Sequence, residues 1–145
     1  MKYIVYFGFI KLGEVKIKMS NVESSEGKKI CNASATLKSY DGVPFVSLNN
    51  IFESEMEVVK EQLYSKKFYA TEFKGKDIAK TDYRFNYDSN KVKIIKETNY
   101  KIERNESVAF NKGVKYQDGL SIFYLARLNS FANKNYIVPV YINES

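Results

Sequence analysis

Hydrophobic and polar residues alternate along most of this chain, the pattern of β-strands that bury one face. The clearest example is Gly13–Ser20, where Val15, Ile17 and Met19 face one way and charged residues the other. The same period predicts further strands at Lys2–Phe9, Lys29–Ser39, Ile51–Val59, Lys66–Lys74, Thr81–Tyr87, Lys91–Glu97 and Tyr136–Ile142. Because short polar turns separate most of them, the chain is predicted to form an antiparallel meander.

Three segments follow this period less clearly. Val43–Asn50 has no regular alternation and is predicted to contain one helical turn, with a proline near its start. Glu53–Gln62 can be drawn as a helix, although a strand over Ile51–Val59 is favoured. Asn99–Phe110 is predicted to be a loop with a short strand.

One apolar stretch, at about residues 118–130, departs from the strand pattern altogether. Nearly every position from Leu120 to Leu128 is hydrophobic, and Asp118 stands where it can cap a helix. A helix that is apolar on all sides is normally buried. We therefore predict a mainly β fold, in which a curved antiparallel sheet or half-barrel packs around this one short helix.

Arg127 is the one charged residue within the apolar stretch. A buried guanidinium needs water, a carboxylate or a ligand, because an unpaired buried charge is costly. A structural ion pair is the favoured interpretation, with Glu53, Glu55 and Asp82 as candidate partners, and ligand binding is the alternative.

Length and composition indicate a single folded domain over residues 1–145. Hydrophobic residues make up 44% of the chain and aromatic residues 15%, enough for a core. The net charge of +6 can favour an anionic partner, but the lysines are interleaved with acidic residues, which is typical of a solvated surface. Cys31 is the only cysteine, so no intrachain disulfide is possible.

No apolar run approaches the length that a membrane-spanning helix needs. The first ten residues could pass for a weak signal peptide, but no small-x-small cleavage site follows them. We interpret them as a strand of the mature fold, any targeting segment of a parent protein having been removed.

The residue types limit the available chemistry. With no histidine in the sequence, Ser-His-Asp and Cys-His catalysis and most zinc sites are excluded. Glu53, Glu55 and Glu57 would lie about 7 Å apart along one strand face, a spacing that could suit a glycosidase pair or an oxygen-ligand metal site. A solvated face matched by lysines is the favoured interpretation, so no catalytic residue, metal or cofactor is predicted.

Tyr83, Phe85 and Tyr87 form an aromatic stripe among basic residues. Such a stripe could stack on the bases of single-stranded nucleic acid. Alternating aromatic residues more often belong to a core, and none of the recognised nucleic-acid-binding motifs is present. Nucleic acid is therefore not the expected partner.

Three stretches resemble one known family, the domain of unknown function 3108. Tyr6–Glu14 resembles its opening strand and turn, and Ile51–Ser54 resembles the strand after a short helical turn. The helix matches an Asp-x-Leu-Ser-x-x-Tyr-x-x-Arg arrangement through Asp118, Leu120, Ser121, Tyr124 and Arg127.

The resemblance implies an exported protein of Gram-negative type bacteria, periplasmic or associated with the cell envelope, with a mainly antiparallel half-barrel fold. The family has no established activity and so supplies no catalytic residues. Its members usually carry a signal segment and further strands after the helix, so this chain resembles a trimmed or short member.

Together these features predict a non-enzymatic exported β domain that binds a hydrophobic or amphipathic ligand, such as a lipid, in the concave face of its sheet. The candidate ligand-binding residues are Arg127, Tyr124, Ser121, Tyr83 and Phe85. A concavity filled by the helix and side chains would contradict ligand binding. The alternative is a structural or protein-interaction module of the cell envelope, which an exposed edge strand would favour. A carboxylate-based hydrolase is the third hypothesis.

Overall fold

The structure, a computed structural model, describes residues 1–23, 29–43, 47–59, 62–129 and 137–141, and for residues 21–23 and 127–129 it describes the backbone alone. Its eight strands form one open sheet in the order β1 to β8, each antiparallel to the next. They are β1 Lys2–Phe7, β2 Ile10–Glu23, β3 Lys29–Ser39, β4 Asn49–Val59, β5 Gln62–Lys74, β6 Asp77–Asn86, β7 Lys91–Thr98 and β8 Lys101–Ala109, followed by helix α1, Ser121–Asn129. The predicted mainly β fold with one short helix is confirmed.

The least regular segments differ most from the prediction. β4 is a strand, as favoured over a helix. It begins at Asn49, so the helical turn predicted within Val43–Asn50 does not include Asn49 or Asn50. Residues 44–46 of that predicted turn lie outside the described chain. β8 is a full strand, where a loop with only a short strand was predicted, because its backbone pairs with β7 although its side chains show no hydrophobic period.

The predicted last strand, Tyr136–Ile142, is wrong over the residues that the structure describes. Within residues 137–141 only Val140 forms a β-bridge, an isolated parallel one with Gln117. The neighbouring Pro139 has no backbone N–H to give to a ladder. The hydrophobic period alone could not distinguish a strand from an extended segment that packs over the sheet.

The core lies on one face of the sheet, in two clusters. The first contains Ala33, Ala35, Met56 and Leu63 of the sheet with Leu120, Tyr124 and Leu125 at the helix. The second contains Tyr83, Phe85, Val92 and Ile94, covered by Phe110, Tyr116 and Tyr141. α1 is less buried than its sequence predicts, since the side chain of Phe123 is 67% exposed.

In the part of the chain that the structure describes, no helix is long and apolar enough to cross a bilayer.

Candidate functional site

An apolar cleft of about 750 Å³ lies between α1 and the sheet, beside the first core cluster. Its volume is within the range of small-molecule sites in proteins, roughly 300–1,000 Å³. The residues that line it come from the N-terminal residue, the first five strands, the two residues before the helix and its first turn. They are Met1, Tyr3, Val15, Ile17, Ala35, Leu37, Phe52, Phe68, Gly119, Leu120, Phe123 and Tyr124.

Strand register explains how these residues reach one wall. Tyr3 of β1 pairs with Val15 of β2, which pairs in turn with Leu37 of β3. A second row runs from Ile17 of β2 through Ala35 of β3 to Phe52 of β4. Directly paired residues on adjacent strands point to the same face of a sheet. Because all of them border a single cleft, this face is concave.

Small residues leave the cleft open. Ala35 occupies the middle of the second row, where a larger side chain would fill the space. A methyl group added at Gly119 would meet only the ring edge of Phe68, at 3.9 Å. On the floor, Phe52 and Phe68 stack with their ring centroids 6.2 Å apart. The start of the helix therefore borders the cleft without filling it.

Asp118 fixes the start of the helix against the sheet. One oxygen of its carboxylate, Oδ2, accepts hydrogen bonds from the hydroxyls of Ser54 and Ser65, at 2.6 and 2.5 Å. The other, Oδ1, accepts from the backbone N–H groups of Leu120 and Ser121, both at 2.7 Å. Asp118 is only 1% exposed, and its four hydrogen-bond donors compensate the free-energy cost of removing the carboxylate from water.

The predicted ligand-binding residues do not all lie in one place. Tyr124 lines the cleft. Ser121 is buried in the cap, where its hydroxyl accepts a hydrogen bond of 2.8 Å from the backbone N–H of Asp118. Tyr83 and Phe85 are buried in the second core cluster. The side chain of Arg127 lies outside the described residues, so its predicted ion pair stays a prediction.

The aromatic stripe is covered by other parts of the chain. The ring of Tyr141 packs edge-on against both Tyr83 and Phe85, with centroid distances of 5.7 Å in each pair. Phe110 lies 6.4 Å from Phe85 and 5.5 Å from Tyr87. With their rings in the core, Tyr83 and Phe85 are not placed to stack on the bases of a nucleic acid.

The three glutamates of β4 lie on the opposite face from the cleft. Glu55 forms an ion pair with Lys67 at 3.0 Å, and Glu57 one with Lys66 at 3.5 Å. Asp82, a proposed partner of Arg127, is bound by Arg84 at 2.7 Å. Among the described residues, no three cysteine or carboxylate side chains come together where they could hold a metal ion.

Outside the two core clusters, Lys115 makes cation–π contacts with two tyrosines near the end of β4. The ammonium of Lys115 lies 4.3 Å from the ring centroid of Tyr64 and 4.0 Å from that of Tyr87. Burial, followed by the negative charge of Glu57, raises the pKa of Tyr64 to about 12. Burial also raises the pKa of Tyr87. This arrangement holds the segment before Asp118 against β5 and so supports the helix start.

Sequence reasoning missed most of the cleft wall. The alternation placed Val15 and Ile17 on one face of β2, and the small residues of β3 indicated a closely packed strand. Neither pattern predicts that this face lies under the helix. The position of the helix depends on the hydrogen bonds of Asp118 with Ser54 and Ser65, which are 64 and 53 residues away in the sequence.

A family model described as "Protein of unknown function (DUF3108)" matches residues 2–145. No curated protein and no solved structure matches the chain.

Proposed function

The chain belongs to the DUF3108 family of proteins of unknown function, and we propose that it binds the hydrophobic part of an amphipathic ligand, such as a lipid acyl chain, in the cleft between α1 and the sheet. The observation that carries the proposal is the cleft itself, which remains open beneath the helix. Apolar surface removed from water on binding contributes roughly 25 cal/mol per Å² before the costs of association. An acyl chain matches such a lining better than a polar ligand does.

The mouth of the cleft supports an amphipathic rather than a wholly apolar ligand. Tyr3 and Phe123 border it and are 48% and 67% exposed. A ligand lying between them can bury its chain against the sheet while its polar end stays in water. The net charge of +6 favours an anionic headgroup over a cationic one.

We also propose that the protein acts without catalysis, in the periplasm or elsewhere in the cell envelope. The lack of histidine and the pairing of Glu55 and Glu57 with lysines support a binding role over a hydrolase. The envelope location rests on the family resemblance. Cell fractionation tests it, and recovery of the native protein in the cytoplasmic fraction alone would contradict it.

A structural or protein-interaction role is the second candidate. It is favoured by β1, whose six residues are all exposed and which forms one edge of the sheet. Exposed strand edges offer unpaired backbone groups to another chain.

Native mass spectrometry of protein purified from its own host tests the ligand proposal. We expect a species heavier than the 16.8 kDa chain that releases a lipid or fatty acid on denaturation. The Leu37→Gln variant, which places an amide in the cleft wall, should carry less of this ligand. Thr36→Gln, the neighbouring substitution on the opposite face, should carry as much as the wild type. Equal loading of the two variants would contradict binding in the cleft.

A further inference from the structure

The two edges of the sheet differ in a way that bears on assembly. β1 contains one charged residue, Lys2, followed by five apolar ones, Tyr3, Ile4, Val5, Tyr6 and Phe7. Among the described residues, no strand pairs with its outer side. The exposed fractions are 43% for Ile4, 39% for Val5 and 75% for Phe7. A long apolar edge of this kind is a template for strand pairing.

The opposite edge carries the features that prevent such pairing. Four of the nine residues of β8 are charged, namely Lys101, Glu103, Arg104 and Glu106. Arg104 and Glu106 also form an ion pair along the strand. Charged side chains on an edge strand discourage the approach of another strand. The pairing of β1 with β8 of a second molecule, which would build an open filament, is therefore disfavoured.

From this asymmetry we infer that β1 pairs antiparallel with β1 of a second copy of the chain, giving a two-fold dimer with one continuous sheet. A two-fold axis at Val5 pairs Tyr3 with Phe7 and Ile4 with Tyr6 of the second copy, so apolar side chains lie opposite apolar side chains. It also separates the two Lys2 residues to opposite ends of the paired strands. Lys2 needs no partner from the second copy, because its ammonium lies 2.7 Å from the carboxylate of Glu14.

The same pairing would join the two clefts along one face. Tyr3 points into the cleft, and Val5 lies on the same face two residues along β1. An axis perpendicular to the sheet keeps the concave faces of both copies on one side. The apolar walls of the two clefts then meet at the paired β1 strands. The dimer is independent of ligand binding, since backbone hydrogen bonds and the exposed strand supply its contacts.

Charge-swapped variants at Val5 test this inference, because Val5 is near the axis, outside the cleft lining and paired with the uncharged Gly13. Sedimentation equilibrium of the wild type should give a mass near twice 16.8 kDa that falls on dilution. Val5→Lys and Val5→Glu should each weaken the dimer roughly a hundredfold or more, because each places like charges at the axis. An equal mixture of the two variants should restore dimers that contain one chain of each.

The matched control is Ile102→Lys on β8, which is also an exposed apolar residue of an edge strand. It should leave dimerisation unchanged, and thermal unfolding should show that every variant is folded. A wild type that stays monomeric at all concentrations would overturn the inference. Disruption of the dimer by Ile102→Lys would also overturn it, as would a mixture of the Val5 variants that stays monomeric. A monomer whose β1 strand pairs with an unrelated peptide would overturn it too.

Discussion

The hydroxyl of Ser65 on β5 donates a hydrogen bond of 2.5 Å to the carboxylate of Asp118, the residue that caps α1. Both residues are buried, and Ser54 on β4 donates to the same oxygen. The start of the helix is therefore fixed to two central strands by charge-assisted hydrogen bonds. The height of the helix above the sheet, and so the depth of the cleft, depends on this contact.

Replacement of Asp118 by asparagine should destabilise the fold. The amide has only one oxygen with which to accept hydrogen bonds from two serine hydroxyls and two backbone N–H groups. We expect a loss of about 2 kcal/mol in the free energy of unfolding, measured by urea denaturation. Ser121→Ala is the smaller perturbation within the same cap and should cost about 1 kcal/mol. An unchanged urea midpoint for Asp118→Asn would show that the carboxylate does not hold the helix start.

Gly13→Ala should destabilise the pairing of β2 with β3. An added Cβ would lie 2.3 Å from the carbonyl oxygen of Lys38 and 2.8 Å from the Cα of Ser39, both backbone atoms that cannot rotate away. We expect a cost of about 1–3 kcal/mol in thermal or urea unfolding. Gly119→Ala is the control, because its nearest contact is 3.9 Å and it should change stability little. Equal stability of the two variants would contradict the close strand approach.

Stability should decrease at alkaline pH through Tyr64. Its pKa is about 12 in the folded protein, against an ordinary value of 10.0. Between these pH values the unfolded chain releases the phenolic proton while the folded chain keeps it, so stability present below pH 10 is lost as the pH rises to about 12. Tyr64→Phe should lessen this loss in urea titrations, whereas Tyr100→Phe, at an exposed position, should not. The same alkaline loss in both variants would contradict the burial of the Tyr64 hydroxyl.

The fold could be predicted from the sequence wherever one face of a strand is apolar and the other charged. β2, β6 and β7 show this pattern, and β3 shows it with small apolar residues on one face and mainly uncharged polar residues on the other. β8 could not be predicted in full, because an edge strand exposed on most of its length needs only backbone pairing to its neighbour. The extended segment around Val140 was predicted as a strand because packing over the aromatic core demands the same residue types.

The candidate site was only partly predictable. The helix, its Asp118 cap and the position of Tyr124 follow from local sequence. The depth of the cleft depends on hydrogen bonds from Ser54 and Ser65, which local patterns do not contain. The aromatic character of Tyr83 and Phe85 favours ligand binding, but the structure places both beneath Tyr141 and Phe110, within the core.

A fluorescence titration of the delipidated protein with cis-parinaric acid, a fluorescent fatty acid, tests directly whether the cleft binds a ligand. The wild type should bind one probe per cleft and release it to unlabelled fatty acid. Leu37→Gln should weaken binding roughly tenfold or more, since it replaces apolar contact with an amide. Thr36→Gln, on the other face of the same strand, should stay within about twofold of the wild type. Non-saturable binding by the wild type, or equal affinity in the two variants, would contradict a ligand site between α1 and the sheet.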